Sequence, residues 1–157
     1  MSSQKGNGMF AIKLKTISFE GKEVEVVQHS EVDNFGVLPQ AFAWQKEGKF
    51  YIFVGIGFLS APKKVQDWII CHELGHIKLG HTRYWIVNFL FGRIRNLVTF
   101  KPVIDRELAA DAIANEITGS GNGGILLFNF LKRLGVDNAE NKQRLAACVA
   151  YNERKVA

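Results

Sequence analysis

Val65-Gln66-Asp67-Trp68-Ile69-Ile70-Cys71-His72-Glu73-Leu74-Gly75-His76-Ile77-Lys78-Leu79-Gly80-His81 is the stretch that decides how this chain folds. Val65, Trp68, Ile69, His72 and His76 recur at helical intervals. Ser60-Ala61-Pro62 offers a start, with a hydroxyl cap and a proline in the first turn, and Gly80 offers a stop. At helical pitch His72 and His76 stand on one face, separated by roughly 6 Å of axial rise, so both rings can reach a single metal ion. Glu73 follows the first of them. Zinc held by such a pair lowers the pKa of its water to about 7, and a neighbouring carboxylate can act as general base.

A zinc site that keeps an open position for water takes three protein ligands. His81 is nearest, but the metzincin spacing requires a glycine three residues and a histidine six residues after the second ligand; here Leu79 and Thr82 occupy those positions, and His81 falls at five. Farther on, Val103 to Ile117 reads as a second amphipathic helix, rich in alanine and closed by Gly119. Glu107 and Asp111 share one face of it. Glu107 can bind the metal, and Asp111 can accept the outer N–H of a ligand histidine and fix its tautomer.

His72-Glu73-Leu74-Gly75-His76 with Glu107-Leu108-Ala109-Ala110-Asp111 resembles the gluzincin-type zinc metallopeptidases, in which HExxH is followed on a later helix by a glutamate ligand and an aspartate four residues on. The run His72 to His81 is similar to the HELGHIxxGH of HtpX-like peptidases and minigluzincins. Glu107 to Asp111 is similar to their ExEAD, with Ala109 in place of the second glutamate. The ImmA/IrrE-type peptidases, which cut repressor proteins, look almost as similar. The resemblance spans roughly residues 50 to 135. It implies a zincin-like α+β domain and one zinc ion per chain, held by His72, His76 and Glu107. It also implies Glu73 as base and later proton donor, Asp111 as orienter, and endopeptidase action on a protein or peptide. The competing reading is a non-catalytic, zinc-containing module that binds protein or nucleic acid. Glu73 separates the two, because a structural site is closed by four protein ligands and needs no carboxylate beside it.

The 157 residues, 47% hydrophobic, suit one domain able to bury a core, expected over 9–157 behind a disordered polar leader at 1–8. The leader lacks the apolar core of a signal peptide. HtpX-like enzymes carry membrane spans, whereas the longest apolar stretch here, Tyr84 to Gly92, falls well short of the ~20 residues a span needs. Cys71 and Cys148 form no CxxC pair and read as reduced thiols of a cytoplasmic protein. The net charge of +5 is spread along the chain without a nucleic-acid motif, which disfavours nucleic acid as a partner. The basic and apolar segment 83–101 joins the two metal helices and reads as a flap, a peripheral membrane contact or core packing.

Ahead of the metal helix, alternating residues from Phe10 to Lys15 and from Glu23 to Val26 flank a Glu20-Gly21 turn. Ala41 to Gln45 and Lys49 to Val54 flank Glu47-Gly48. Together they predict a small, mainly antiparallel sheet packed on the metal helix, and the resemblance makes Lys49 to Ile56 its substrate-holding edge. After the second helix, Ser120 to Gly124 lacks the Lys-Ser/Thr of a phosphate loop and reads as a flexible connection. Ile125 to Leu134 and Ala139 to Glu153 read as helices that close the core without evident chemistry. His81, Arg83 and Tyr84 are weak candidates for stabilising an oxyanion.

Overall fold

Two hairpins open the fold, each at a two-residue turn in which both φ angles are positive. The computed structural model of the chain describes residues 11–30, 32, 38–84 and 100–157; the leader at 1–8 and most of the segment 83–101 lie outside them. β1 (Ala11–Phe19) and β2 (Lys22–His29) are joined by Glu20 and Gly21 at φ 48° and 74°. β3 (Ala41–Lys46) and β4 (Lys49–Val54) are joined by Glu47 and Gly48 at φ 51° and 78°. Such left-handed turns match the twist of the strands they connect.

The hairpins join through β2 and β4, which run parallel, so the sheet is mixed, in the order β1-β2-β4-β3. The edge expected at Lys49 to Ile56 is corrected: β4 lies inside the sheet, and β3 and β1 are its edges. β4 reads Phe50-Tyr51-Ile52-Phe53-Val54, apolar on both faces, as a strand with neighbours on each side requires. Its Ile52 and Val54 are buried with Val24 and Val26 against the helices, while Tyr51 and Phe53 pack with Phe42 and Trp44 on the opposite face.

The described α-helices all follow the sheet. A single turn, α1 (Ile56–Leu59), precedes α2 (Lys63–Lys78), the helix that carries His72 and His76. Ser60 does not cap α2 as its position suggests; its hydroxyl donates to the Ile56 carbonyl and finishes α1. Pro62 stands at the N-cap of α2, and its carbonyl accepts from Val65 and Gln66. After a short 3-10 turn at His81–Tyr84 come α3 (Phe100–Thr118), α4 (Asn122–Arg133) and α5 (Ala139–Val156), the last capped by the Asn138 side chain, which accepts from the Asn141 amide. No described helix is long and apolar enough to cross a membrane.

Helix α2 is the spine. Val65, Trp68, Ile69, Leu74 and Ile77 are buried between the sheet and the later helices, each contributing about 1.5–3 kcal/mol through the area removed from water. The segment expected as a flexible glycine loop belongs to a tight packing contact instead. Gly123 and Gly124 lie in the first turn of α4, and a Cβ at Gly123 would stand 2.3 Å from Trp68 Cβ and 2.5 Å from the Lys64 carbonyl oxygen. Gly123→Ala is therefore expected to cost about 3 kcal/mol or more by overpacking, read as a lowered urea midpoint with a disturbed Trp68 environment.

Candidate metal centre

Four of the residues singled out in the sequence meet between α2 and α3, and a fifth lies beside them on α2. His72 Nε2 is 3.0 Å from His76 Nε2 and 3.3 Å from Glu107 Oε2, and His76 Nε2 is 3.3 Å from Glu107 Oε1. Among the described residues, His72, His76 and Glu107 form a group able to hold a metal ion, with one ligand atom from each lying within 4.8 Å of the others. The two histidines come from one face of α2, and Glu107 reaches them because α3 runs directly against that helix. Gly75 makes the approach close: a Cβ there would meet the Ala110 carbonyl oxygen at 3.0 Å.

His72 is fixed on one face of its ring and along its edge. It stacks on Trp68 with centroids 5.6 Å apart, and Trp68 is itself held by the hydrogen bond it donates to Asn115 Oδ1 at 2.8 Å. Its Nδ1 lies 2.8 Å from Asp111 Oδ1, the carboxylate expected to orient it. A proton on Nδ1 leaves the Nε2 lone pair facing His76 and Glu107, which is the tautomer a metal ligand needs.

Asp111 is only 1% exposed, and its charge is answered by a residue that sequence reasoning passed over. Arg144, on α5, donates to Asp111 Oδ2 from Nε and to Oδ1 from a terminal nitrogen, both at 2.8 Å, and its other terminal nitrogen lies 3.0 Å from Glu107 Oε2. The expectation that α5 carries no chemistry is thereby corrected. One guanidinium braces both the carboxylate of the ligand group and the carboxylate behind His72, a planar fork for which lysine is no substitute. A signal was present: Arg144 lies four residues before the buried Cys148, hence on the inward stripe of its helix, where a cation requires carboxylate partners.

The charges set the protonation of the group. Burial alone would lower the His72 pKa, but its hydrogen bonds to Asp111 and Glu107 outweigh burial and push it up to about 10. Burial would raise Glu107, yet the hydrogen bonds from His72 and His76 hold its carboxyl well below the usual range. Asp111 is likewise lowered against burial, by Arg144 and His72. A metal entering here takes the place of the second proton on His72.

Glu73 lines the same cleft, of about 300 Å³, and its Oε2 accepts from the Ala43 amide of β3 at 2.7 Å. Burial raises its pKa, opposed by the neighbouring histidines. That is the direction a general base requires, a carboxylate made more basic than usual. His81 is not part of the ligand group. Its Nδ1 lies 3.0 Å from His76 Nδ1, the ring nitrogen that faces neither His72 nor Glu107. The side chains of Arg83 and Tyr84 lie outside the described residues. Cys71 and Cys148 are free thiols, raised to about 11 chiefly by burial, and neither joins the group.

Compared with protein-family models, curated proteins and solved structures, the chain finds no match.

Proposed function

We propose that the chain is a zinc-dependent endopeptidase of the gluzincin type, with His72, His76 and Glu107 as ligands in a zincin-like fold. The observation that carries the reading is the convergence of two Nε2 atoms 3.0 Å apart on the Glu107 carboxylate, whose Oε2 lies 3.3 Å from His72 Nε2 and whose Oε1 lies 3.3 Å from His76 Nε2. A tetrahedral ion with bonds of 2.0–2.1 Å spaces its ligands by about 3.3–3.4 Å, so the three residues suit zinc with little adjustment. Two imidazoles and a carboxylate also make the donor set of catalytic rather than structural zinc.

Zinc bound there supplies a Lewis acid for the scissile carbonyl and makes water acidic near neutral pH. The chain's own residues do the rest. Glu73 takes a proton from the attacking water as its oxygen bonds to the carbonyl carbon. It then delivers that proton to the amide nitrogen as the C–N bond breaks. Asp111 and Arg144 keep His72 in one tautomer throughout. The Ala43 amide points away from β4, since it donates to Glu73. The backbone of edge strand β3 thus faces the cleft beside the base, where an extended peptide can add to the sheet. Two free thiols fit a reducing compartment, and we place the enzyme in the cytoplasm.

The purified protein is expected to contain about one zinc per chain and to cleave casein or an unfolded protein in a chelator-sensitive manner. Elemental analysis and a cleavage assay check this. Zinc without cleavage of any protein across a broad panel that includes repressors would favour the non-catalytic module.

A further inference from the structure

We infer that His81 is a positioning residue for His76, accepting the Nδ1–H of that ring at its own Nδ1 and so holding His76 Nε2 towards His72 and Glu107. The inference rests on the metal-centre reading and extends it to a residue outside the ligand set. The two Nδ1 atoms are 3.0 Å apart, with ring planes tilted by 54°. A hydrogen bond between two imidazoles requires one donor and one acceptor. If His76 offers the Nε2 lone pair to a cation, its proton resides on Nδ1, so His81 must accept and carry its own proton on Nε2. A single set of tautomers then satisfies His72, His76 and His81 together.

His81 reaches this position only because the helix stops. Five residues along a continuing helix amount to about 500° of rotation, which would leave position 81 about 140° round from His76. Instead the Leu79 and Gly80 amides donate to the Gly75 and Ile77 carbonyls, Gly80 adopts φ +70°, and the chain turns back. Thr82, 5% exposed, then anchors the 3-10 turn that carries His81. The two ligand histidines are therefore braced unequally: His72 by a carboxylate locked to Arg144, His76 by a neutral imidazole on a short turn.

The test compares zinc affinity, by competition with a chromophoric chelator, among the wild type, His81→Ala, His81→Asn and His81→Leu. Loss of the acceptor in the Ala and Leu variants is expected to weaken binding about 10- to 100-fold. Asn, whose carbonyl oxygen can stand near the former Nδ1, is expected to restore it to within a few-fold. Leu has nearly the shape of Asn, so this pair isolates the acceptor from packing even if the Ala variant does not fold. In the zinc-loaded wild type and the Asn variant, a slowly exchanging His76 Nδ1–H should be visible by nitrogen-15 NMR, and it should be lost in the Leu variant. Wild-type affinity in the Leu variant, or equal weakening in Asn and Leu, overturns the inference while leaving the metal centre standing. A wild-type chain that takes up no zinc overturns both.

Discussion

Glu73→Gln is expected to keep its zinc and its fold and to lose peptidase activity by about 10²- to 10⁴-fold, the usual contribution of a positioned general base. The amide has nearly the shape of the carboxylate, and its oxygen can still accept from the Ala43 amide, so the packing around position 73 should survive. What it lacks is a site that can take a proton from water and return it to the leaving nitrogen. Parallel measurement of zinc content, thermal unfolding and cleavage rate distinguishes the outcomes. Equal rates for wild type and variant would assign the activity to a contaminant or the proton transfer to another group. A variant that loses zinc would show that Glu73 helps to hold the ion.

The second large effect separates the ligands from the residues behind them. His76→Ala and Glu107→Ala each leave two protein ligands, too few to retain zinc tightly, and both are expected to lose nearly all bound metal after dialysis. Asp111→Ala leaves the three ligand atoms in place and frees only the His72 ring. Affinity should fall about 10- to 100-fold, with activity recoverable at saturating zinc. Arg144 adds a complication that the geometry makes explicit. With Asp111 gone, its guanidinium retains Glu107 as partner at 3.0 Å, so the cation is not orphaned. Zinc retained in Glu107→Ala but lost in Asp111→Ala would reverse the assignment.

Local rules made much of this molecule readable in advance. The turn pairs Glu20-Gly21 and Glu47-Gly48 and the stops at Gly80 and Gly119 fell where positive φ is needed, and those glycines do adopt it. The group of His72, His76 and Glu107 was legible because two ligands share a helix face and the third sits on a second helix with its own amphipathic pattern. Three things were not. The parallel pairing of β2 with β4 joins hairpins that are each complete on their own terms, and no turn chemistry specifies which strands meet. The role of Gly123 and Gly124 was masked because glycine is as common in loops as at points where a helix lies against an indole. Arg144 lies thirty-three residues beyond Asp111 in a helix dense with charge, and only its place on the inward stripe sets it apart from the solvated residues around it.

Gly75 has a consequence for how much variation the candidate metal centre can tolerate. The chemical pattern leaves the two positions between Glu73 and His76 unspecified, yet one of them is the bearing surface on which the second helix rests, main chain against main chain. Backbone has no rotamers with which to absorb an error, so the gap between the helices carries almost no play. A single methyl group there would act as a wedge, meeting the Ala110 carbonyl oxygen at 3.0 Å and its Cα at 3.1 Å. Thirty residues of chain lie between His76 and Glu107, but the distance across which their side chains meet is gauged by the one residue that contributes no side chain at all.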